Sequence, residues 1–296
     1  MEHSHTHHEV LPGNAGHLSR IFLWGIGLNL VYVLVEGVAG FITSSMGLLS
    51  DAGHNLSDVA SLVISLLAVK AAEKKPTANF TYGFKKATIA ASVANAVILY
   101  AAVAFILVES ISKLASPHEV DGAVVAWVAA VGVVINGITA WILMKDSRHD
   151  LNVKGSFLHM LSDTAVSVGV VISGIVIACT GWTVIDPIIG IIIALIIAVG
   201  SYSMLRDSVR LMFDGVPREV SVKAVREAIA ATPGVRSFHH LHIWALSTTE
   251  AAMTVHVVVA SPEMVDEVIH GVKEAVAPLG VAHSTIEAEL NPDDCD

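Results

Sequence analysis

Gly47-Leu-Leu-Ser-Asp-Ala-Gly-His54-Asn-Leu-Ser-Asp58-Val-Ala-Ser-Leu-Val-Ile-Ser-Leu-Leu-Ala-Val-Lys70 decides how this chain is read. The stretch exceeds the roughly 20 mostly apolar residues that a bilayer-spanning helix needs. It nevertheless carries a His and two Asp. A charged side chain at the centre of a spanning helix costs about 2.5–3.5 kcal/mol on insertion scales, so function is the default explanation for one found there. His54 and Asp58 stand four residues apart and share one helix face.

Working outward, the same spacing recurs in His159-Met-Leu-Ser-Asp163, inside a second apolar run. Six segments have spanning length, roughly 20–42, 47–70, 87–112, 121–144, 153–180 and 183–205. The composition agrees, with 54% hydrophobic residues and only 15% charged. The expected fold is a membrane all-α domain of six transmembrane helices at 20–210, preceded by a His-rich tail at 1–19.

Six spans return the chain to the side on which it began, and basic residues say which side that is. Lys70, Lys74, Lys75, Lys85 and Lys86 flank one connection, Lys145, Arg148 and Lys154 another, and Arg206 and Arg210 follow the last span. The opposite connections carry little beyond Lys113. By the positive-inside rule both termini are cytoplasmic. The first apolar segment has spanning length and follows a polar, His-rich start, so it reads as an anchor rather than a cleaved signal. The absence of other targeting signals places the protein in the cell's inner (plasma) membrane.

Segments 2 and 5 then run in opposite directions. If their motifs face each other, His54 lies level with Asp163 and Asp58 with His159. Four N and O ligands result, the number a tetrahedral Zn²⁺ site takes. Asn29, Glu36, Asn95, Glu109, Asn136 and Asp186 also fall in spans without paired ligand spacing, and read as packing or capping residues. Ser50 and Asp51 are placed to cap segment 2, and Asp186 precedes Pro187 at the start of segment 6. Glu36 stands out as a secondary proton or gating group.

From Pro217 onward the pattern changes to that of a small soluble α+β domain, 217–291, with a short tail at 292–296. Val222, Val225 and Ile229 recur at helical spacing, 235–246 and 251–260 read as strands, Val265 to Val276 form a second helix, and 281–290 a third strand. The order αββαβ suits two helices on one face of a three-stranded sheet, a ferredoxin-like or metallochaperone-like arrangement. This region holds twelve acidic residues against five basic ones, which excludes a nucleic-acid surface. Cys179 and Cys295 are neutral in this reading, with no disulfide framework.

With six spans, an acidic αββαβ domain and paired His-x-x-x-Asp motifs, the sequence resembles the cation diffusion facilitator family of zinc transporters. The resemblance covers nearly the whole chain. It rests on Leu48 through Asp58, Tyr82-Gly83, Leu158-His159-Met-Leu-Ser-Asp163 and His240-Leu-His242-Ile-Trp244. It implies a homodimer that exports divalent metal in exchange for protons, by alternating access through His54, Asp58, His159 and Asp163. No enzyme activity and no bound cofactor are implied; Zn²⁺ is cargo and also a candidate regulatory ion.

By position, the resemblance offers His239 or His240, His256, Glu287 and Glu289 as ligands in the cytoplasmic domain. His256 equally suits a packing role on its strand. Lys86 and Asp214 align with a charge pair near the dimer interface. The 76–84 loop lacks the His or Asp that some relatives carry there. The His-rich start, with His3, His5, His7 and His8, reads as a weak metal collector or a polar tail. Two alternative functions stay open at this level: a carrier preferring Cd²⁺, Co²⁺, Fe²⁺ or Mn²⁺, and a metal-sensing receptor without flux.

Overall fold

The computed structural model describes residues 15–116, 119–144 and 151–291, without the side chains of 15–26, 28, 29, 62, 143, 151–156, 158 and 159. The His-rich stretch His3–His8 and the tail 292–296 lie outside the described residues. Six long helices come first: α1 (Ala15–Thr43), α2 (Met46–Ala72), α3 (Ala87–Ala115), α4 (Gly122–Met144), α5 (Leu151–Thr180) and α6 (Ile185–Met212). They follow the six apolar segments in order. Among the described residues, α2, α3, most of α4, Met160–Thr180 of α5 and α6 are each long and apolar enough to cross a membrane. The described part of α1 adds the shorter apolar stretch Leu30–Thr43.

These helices leave large apolar side chains such as Phe41, Trp127 and Val199 exposed, as lipid-facing helices do. By internal contacts the chain divides into two compact units, Met1–Val59 with Leu99–Val199, and Ala60–Ile98 with Gly200–Asp296.

In the first unit a buried apolar cluster forms from Met46, Leu48, Val103, Val125, Ala129, Val170 and Ala194. Helices in lipid gain little from excluding water from each other, so close backbone approach matters more. α4 and α5 achieve it through two glycines. A Cβ on Gly122 would stand 2.5 Å from the Ala178 nitrogen, and one on Gly174 would stand 2.5 Å from the Ala126 nitrogen. Neither position has room for a methyl group. Gly132, further along α4, makes the space taken by the Tyr32 hydroxyl, which a Cβ would approach to 2.1 Å.

The start of α2 differs from the sequence expectation. α2 begins at Met46, so Ser50 and Asp51 lie inside it rather than at its cap. The cap comes from α6: the Asp186 carboxylate accepts from the Ser45 hydroxyl, from the Met46 N–H and, at 3.2 Å, from the Gly47 N–H. The physical reason is that the first N–H groups of a helix have no partner within it, and in a bilayer water cannot serve. Ser44 turns the chain in the left-handed region (φ 54), and its carbonyl accepts from Lys113 of α3 at 2.7 Å. Asp186 therefore caps a helix far away in sequence.

In the second unit, α7 (Val222–Ala231), β1 (Val235–Ala245), β2 (Ala251–Val259), α8 (Val265–Val276) and β3 (Val281–Glu289) give the expected αββαβ order. Ser221 caps α7 by accepting from the Ala224 N–H. The sheet order is β1-β2-β3, with β1 antiparallel and β3 parallel to β2. A parallel neighbour requires a crossover, which α8 supplies. Met253, Val255, Val257 and Val259 of β2 pack against Val225, Ile229, Val268, Val272 and Val276 of the two helices. Strand alternation sends Thr254 and His256 to the opposite face.

Candidate metal centre

Two groups of His and carboxylate side chains come together, one in each unit. In the first, α2 delivers His54 and Asp58 on one face and α5 delivers Asp163. His54 Nε2 lies 3.6 Å from Asp163 Oδ1 and 3.8 Å from Asp58 Oδ2. These separations suit ligands that share an ion better than a direct hydrogen bond, which needs about 2.7–3.2 Å. Asp163 is buried, 1% exposed, whereas the Asp58 side chain is 35% exposed.

Contacts between α2 and α5 climb one helix as they descend the other. The Ser167 hydroxyl donates to Asp51 Oδ2 at 2.7 Å, and His54 then meets Asp163. That is an antiparallel alignment, with His54 beside Asp163. His159 lies on α5 one turn before Asp163, but its side chain is outside the described ones. An imidazole and two carboxylates from two helices thus converge, and the His159 backbone position is four residues from Asp163.

In the second unit the group lies on the sheet face turned away from α7 and α8. His239 of β1 pairs in register with His256 of β2, which pairs with Glu287 of β3. His256 Nδ1 is 2.6 Å from Glu289 Oε1, His239 Nε2 is 3.3 Å from Glu289 Oε2, and His256 Nε2 is 3.6 Å from Glu287 Oε2. Glu289 is nearly buried beneath the two imidazoles.

The sequence offered His239 or His240, because neighbours on a strand point to opposite faces. The structure brings in both. A register shift lies between His239 and His242, and His240 adopts φ 48 within it. Such a bulge inserts an extra residue and re-aims its side chain. His239, His240 and His256 consequently form a triangle of rings with centroids 5.1–5.4 Å apart. Ligand atoms of His239, His240 and His256, and separately of His256, Glu287 and Glu289, lie within 4.8 Å of one another. No regular alternation announces such a bulge, so the sequence signal was only the repeated His.

Lys86 and Asp214 meet at 2.7 Å, both about half exposed. The sequence reading missed their neighbours. Lys85 pairs with Glu250, Thr88 accepts from the Thr248 N–H at 3.1 Å, and the Tyr82 ring meets His283 edge-on at 5.7 Å. Nothing in the sequence around Tyr82, Lys85 and Thr88 announced these contacts, since each joins residues more than 150 positions apart.

The chain matches two family descriptions end to end: "Cation efflux transmembrane domain" over residues 23–213 and "Cation efflux protein, cytoplasmic domain" over residues 217–289. It is 37% identical over 294 residues to the metal cation efflux system protein CzcD of Cupriavidus metallidurans, covering 98% of this chain and 90% of that protein. It is 33% identical over 290 residues to a cadmium, cobalt and zinc/H(+)-K(+) antiporter of Bacillus subtilis, covering 96% and 91%. Zinc transporter ZitB of Escherichia coli is 33% identical over 298 residues, covering 99% and 94%. With both parts of the architecture matched along nearly its full length, this multi-pass membrane protein belongs to the cation efflux family, the cation diffusion facilitators.

Proposed function

We propose that the protein exports a divalent cation, Zn²⁺ foremost, from the cytoplasm in exchange for protons, through His54, Asp58, His159 and Asp163. The observation that carries this reading is the meeting of His54 and Asp163 from two apolar helices, with Asp58 on the same side of His54. Imidazole with carboxylate suits zinc, whereas Mn²⁺ prefers more oxygen. Metal needs neutral His and ionised Asp, so protons and metal compete for the same atoms. A His with an ordinary pKa near ~6.5 exchanges its proton around physiological pH.

Residues 20–210 form the transport domain in this reading, and 217–291 a cytoplasmic domain. That domain binds regulatory metal through His239, His240, His256, Glu287 and Glu289, and joins a second copy in a homodimer. Both termini face the cytoplasm of a cell bounded by the inner membrane. One of the named relatives is an antiporter of cadmium and cobalt as well as zinc, which favours a second reading in which cadmium or cobalt is the main cargo. Zn²⁺ flux into proteoliposomes under an imposed pH gradient tests both readings. Asp58→Ala and His159→Ala are expected to abolish it. Flux that survives both substitutions refutes the site, and a wild type that binds metal without flux refutes transport.

A further inference from the structure

Beside the His54 group lies a cluster that the transport reading does not use. Glu36 of α1 is wholly buried, and its Oε1 accepts from the Tyr32 hydroxyl at 2.7 Å. Its other face meets Asp51 of α2, also wholly buried. Asp51 accepts from the Asn55 amide at 3.2 Å through Oδ1 and from the Ser167 hydroxyl at 2.7 Å through Oδ2.

Counting donors exposes a deficit. Three of the four carboxylate oxygens receive a hydrogen bond; among the described residues Glu36 Oε2 has none within hydrogen-bond distance, and the Asn55 amide beside Glu36 already donates to Asp51. Two carboxylates in contact have only acceptors to offer each other. Two adjacent negative charges away from water are also expensive, and such pairs hold one proton between them. A proton on Glu36 Oε2, donated to Asp51, fills the deficit and removes one charge.

The surroundings are built for this occupant. Tyr32 is the titratable neighbour on the same helix, and Asp51 is the one on α2; α4 packs against α1 with no titratable side chain. Gly132 of α4 makes the space that admits the Tyr32 hydroxyl, whose second contact is the Val128 carbonyl at 3.5 Å. Asp51 lies one turn before His54 on α2, and the Ser167 hydroxyl that it holds lies one turn beyond Asp163 on α5. A dication arriving at His54 and Asp163 therefore acts on the pair through Asp51.

We propose that Glu36 and Asp51 form a second, occluded proton-binding site, which holds one proton when the His54 group is empty and releases it when a divalent cation binds. This rests on the metal-for-proton reading above. In the step, the Glu36 O–H bond breaks and its electron pair stays on the carboxylate. The proton leaves to water, and a −1 charge remains beside a group that has gained +2. The exchange then carries a proton that does not come from any metal ligand.

The test uses full-length protein in lipid nanodiscs, with Zn²⁺ added in weakly buffered solution containing a pH indicator. Glu36→Gln retains an amide donor toward Asp51 and an acceptor for Tyr32. It is expected to bind zinc with about one proton fewer released per ion, because the single shared proton is gone. Asp58→Ala in the same assay is expected to lose the intramembrane zinc together with the proton release. If Asp58→Ala retains that zinc, the transport site is wrong. If Glu36→Gln binds zinc and releases as many protons as the wild type, the Glu36 site is wrong. Infrared difference spectra of the wild type supply a measurement that needs no variant. Adding zinc should remove the carbonyl stretch of a protonated carboxylic acid, and its absence before zinc overturns the proposal even if Glu36→Gln fails to fold. Release of K⁺ in place of that proton overturns it as well.

Discussion

The two His and carboxylate groups use similar side chains in differently built frames. In the membrane, His54 stands 3.6–3.8 Å from its carboxylates, on helices that reach it from separate parts of the chain. On the sheet, His256 meets Glu289 at 2.6 Å, and three rows of a hydrogen-bonded sheet fix the geometry. The sheet group is held together by strand pairing whether or not an ion is present. The membrane group depends on the relative placement of α2 and α5, which can change without breaking either helix. A site that must release its ion is better built the second way, and one that must retain it the first way.

The comparison breaks most sharply at the membrane group. Asp163→Ala removes the buried carboxylate and should lower zinc flux in proteoliposomes on the order of 100-fold or more, since losing a supporting group alone costs about 10–100-fold. Flux near wild type would erase the distinction between the groups. Asp186→Ala probes the scaffold rather than the ligands. It strips the acceptor from the Met46 and Gly47 N–H groups, at about 1–3 kcal/mol for each group left unsatisfied. A lowered thermal midpoint in detergent, with zinc still bound at the membrane site, is the expected result.

His256→Ala sharpens the other side. One fewer zinc should bind per chain at equilibrium dialysis, with maximal flux retained and the zinc concentration for half-maximal flux moved about fivefold, the scale of a modest coupling between sites. Abolished flux would make the sheet group part of the transport path. The smallest effect belongs to Lys86→Ala. The Lys86 and Asp214 side chains are each 57% exposed, and a pair so hydrated contributes about 0–1 kcal/mol. Its thermal midpoint should be indistinguishable from the wild type.

The legibility of the molecule in its sequence follows the range of the interactions. The apolar runs and the His-x-x-x-Asp spacing are local patterns: the runs reappear as α1–α6, five of them of spanning length among the described residues, and His54 and Asp58 share a face of α2. The placement of His54 beside Asp163 was reachable because successive spans alternate in direction, so the second and fifth run antiparallel. Asp186 was misassigned to its own helix because its role depends on N–H groups 139 and 140 residues away, and spacing carries no trace of that. His240 was ambiguous for a different reason: alternation assumes a regular strand, and the bulge at β1 breaks it. Lys85 was read only as one of the basic residues flanking a connection, and nothing singled out Glu250 until folding placed the two together.

The glycine contact between α4 and α5 has a mechanical consequence. Where backbones touch without side chains between them, the two helices cannot slide or roll independently, so they behave as one stiff lever. Asp163 rides on one arm of that lever, and the slot for Tyr32 at Gly132 is cut into the other. Any tilt that withdraws Asp163 from His54 also shifts the wall against which Tyr32 rests, and with it the hydroxyl that holds Glu36. Two glycines thus tie the group around His54 to a buried acid by simple rigidity.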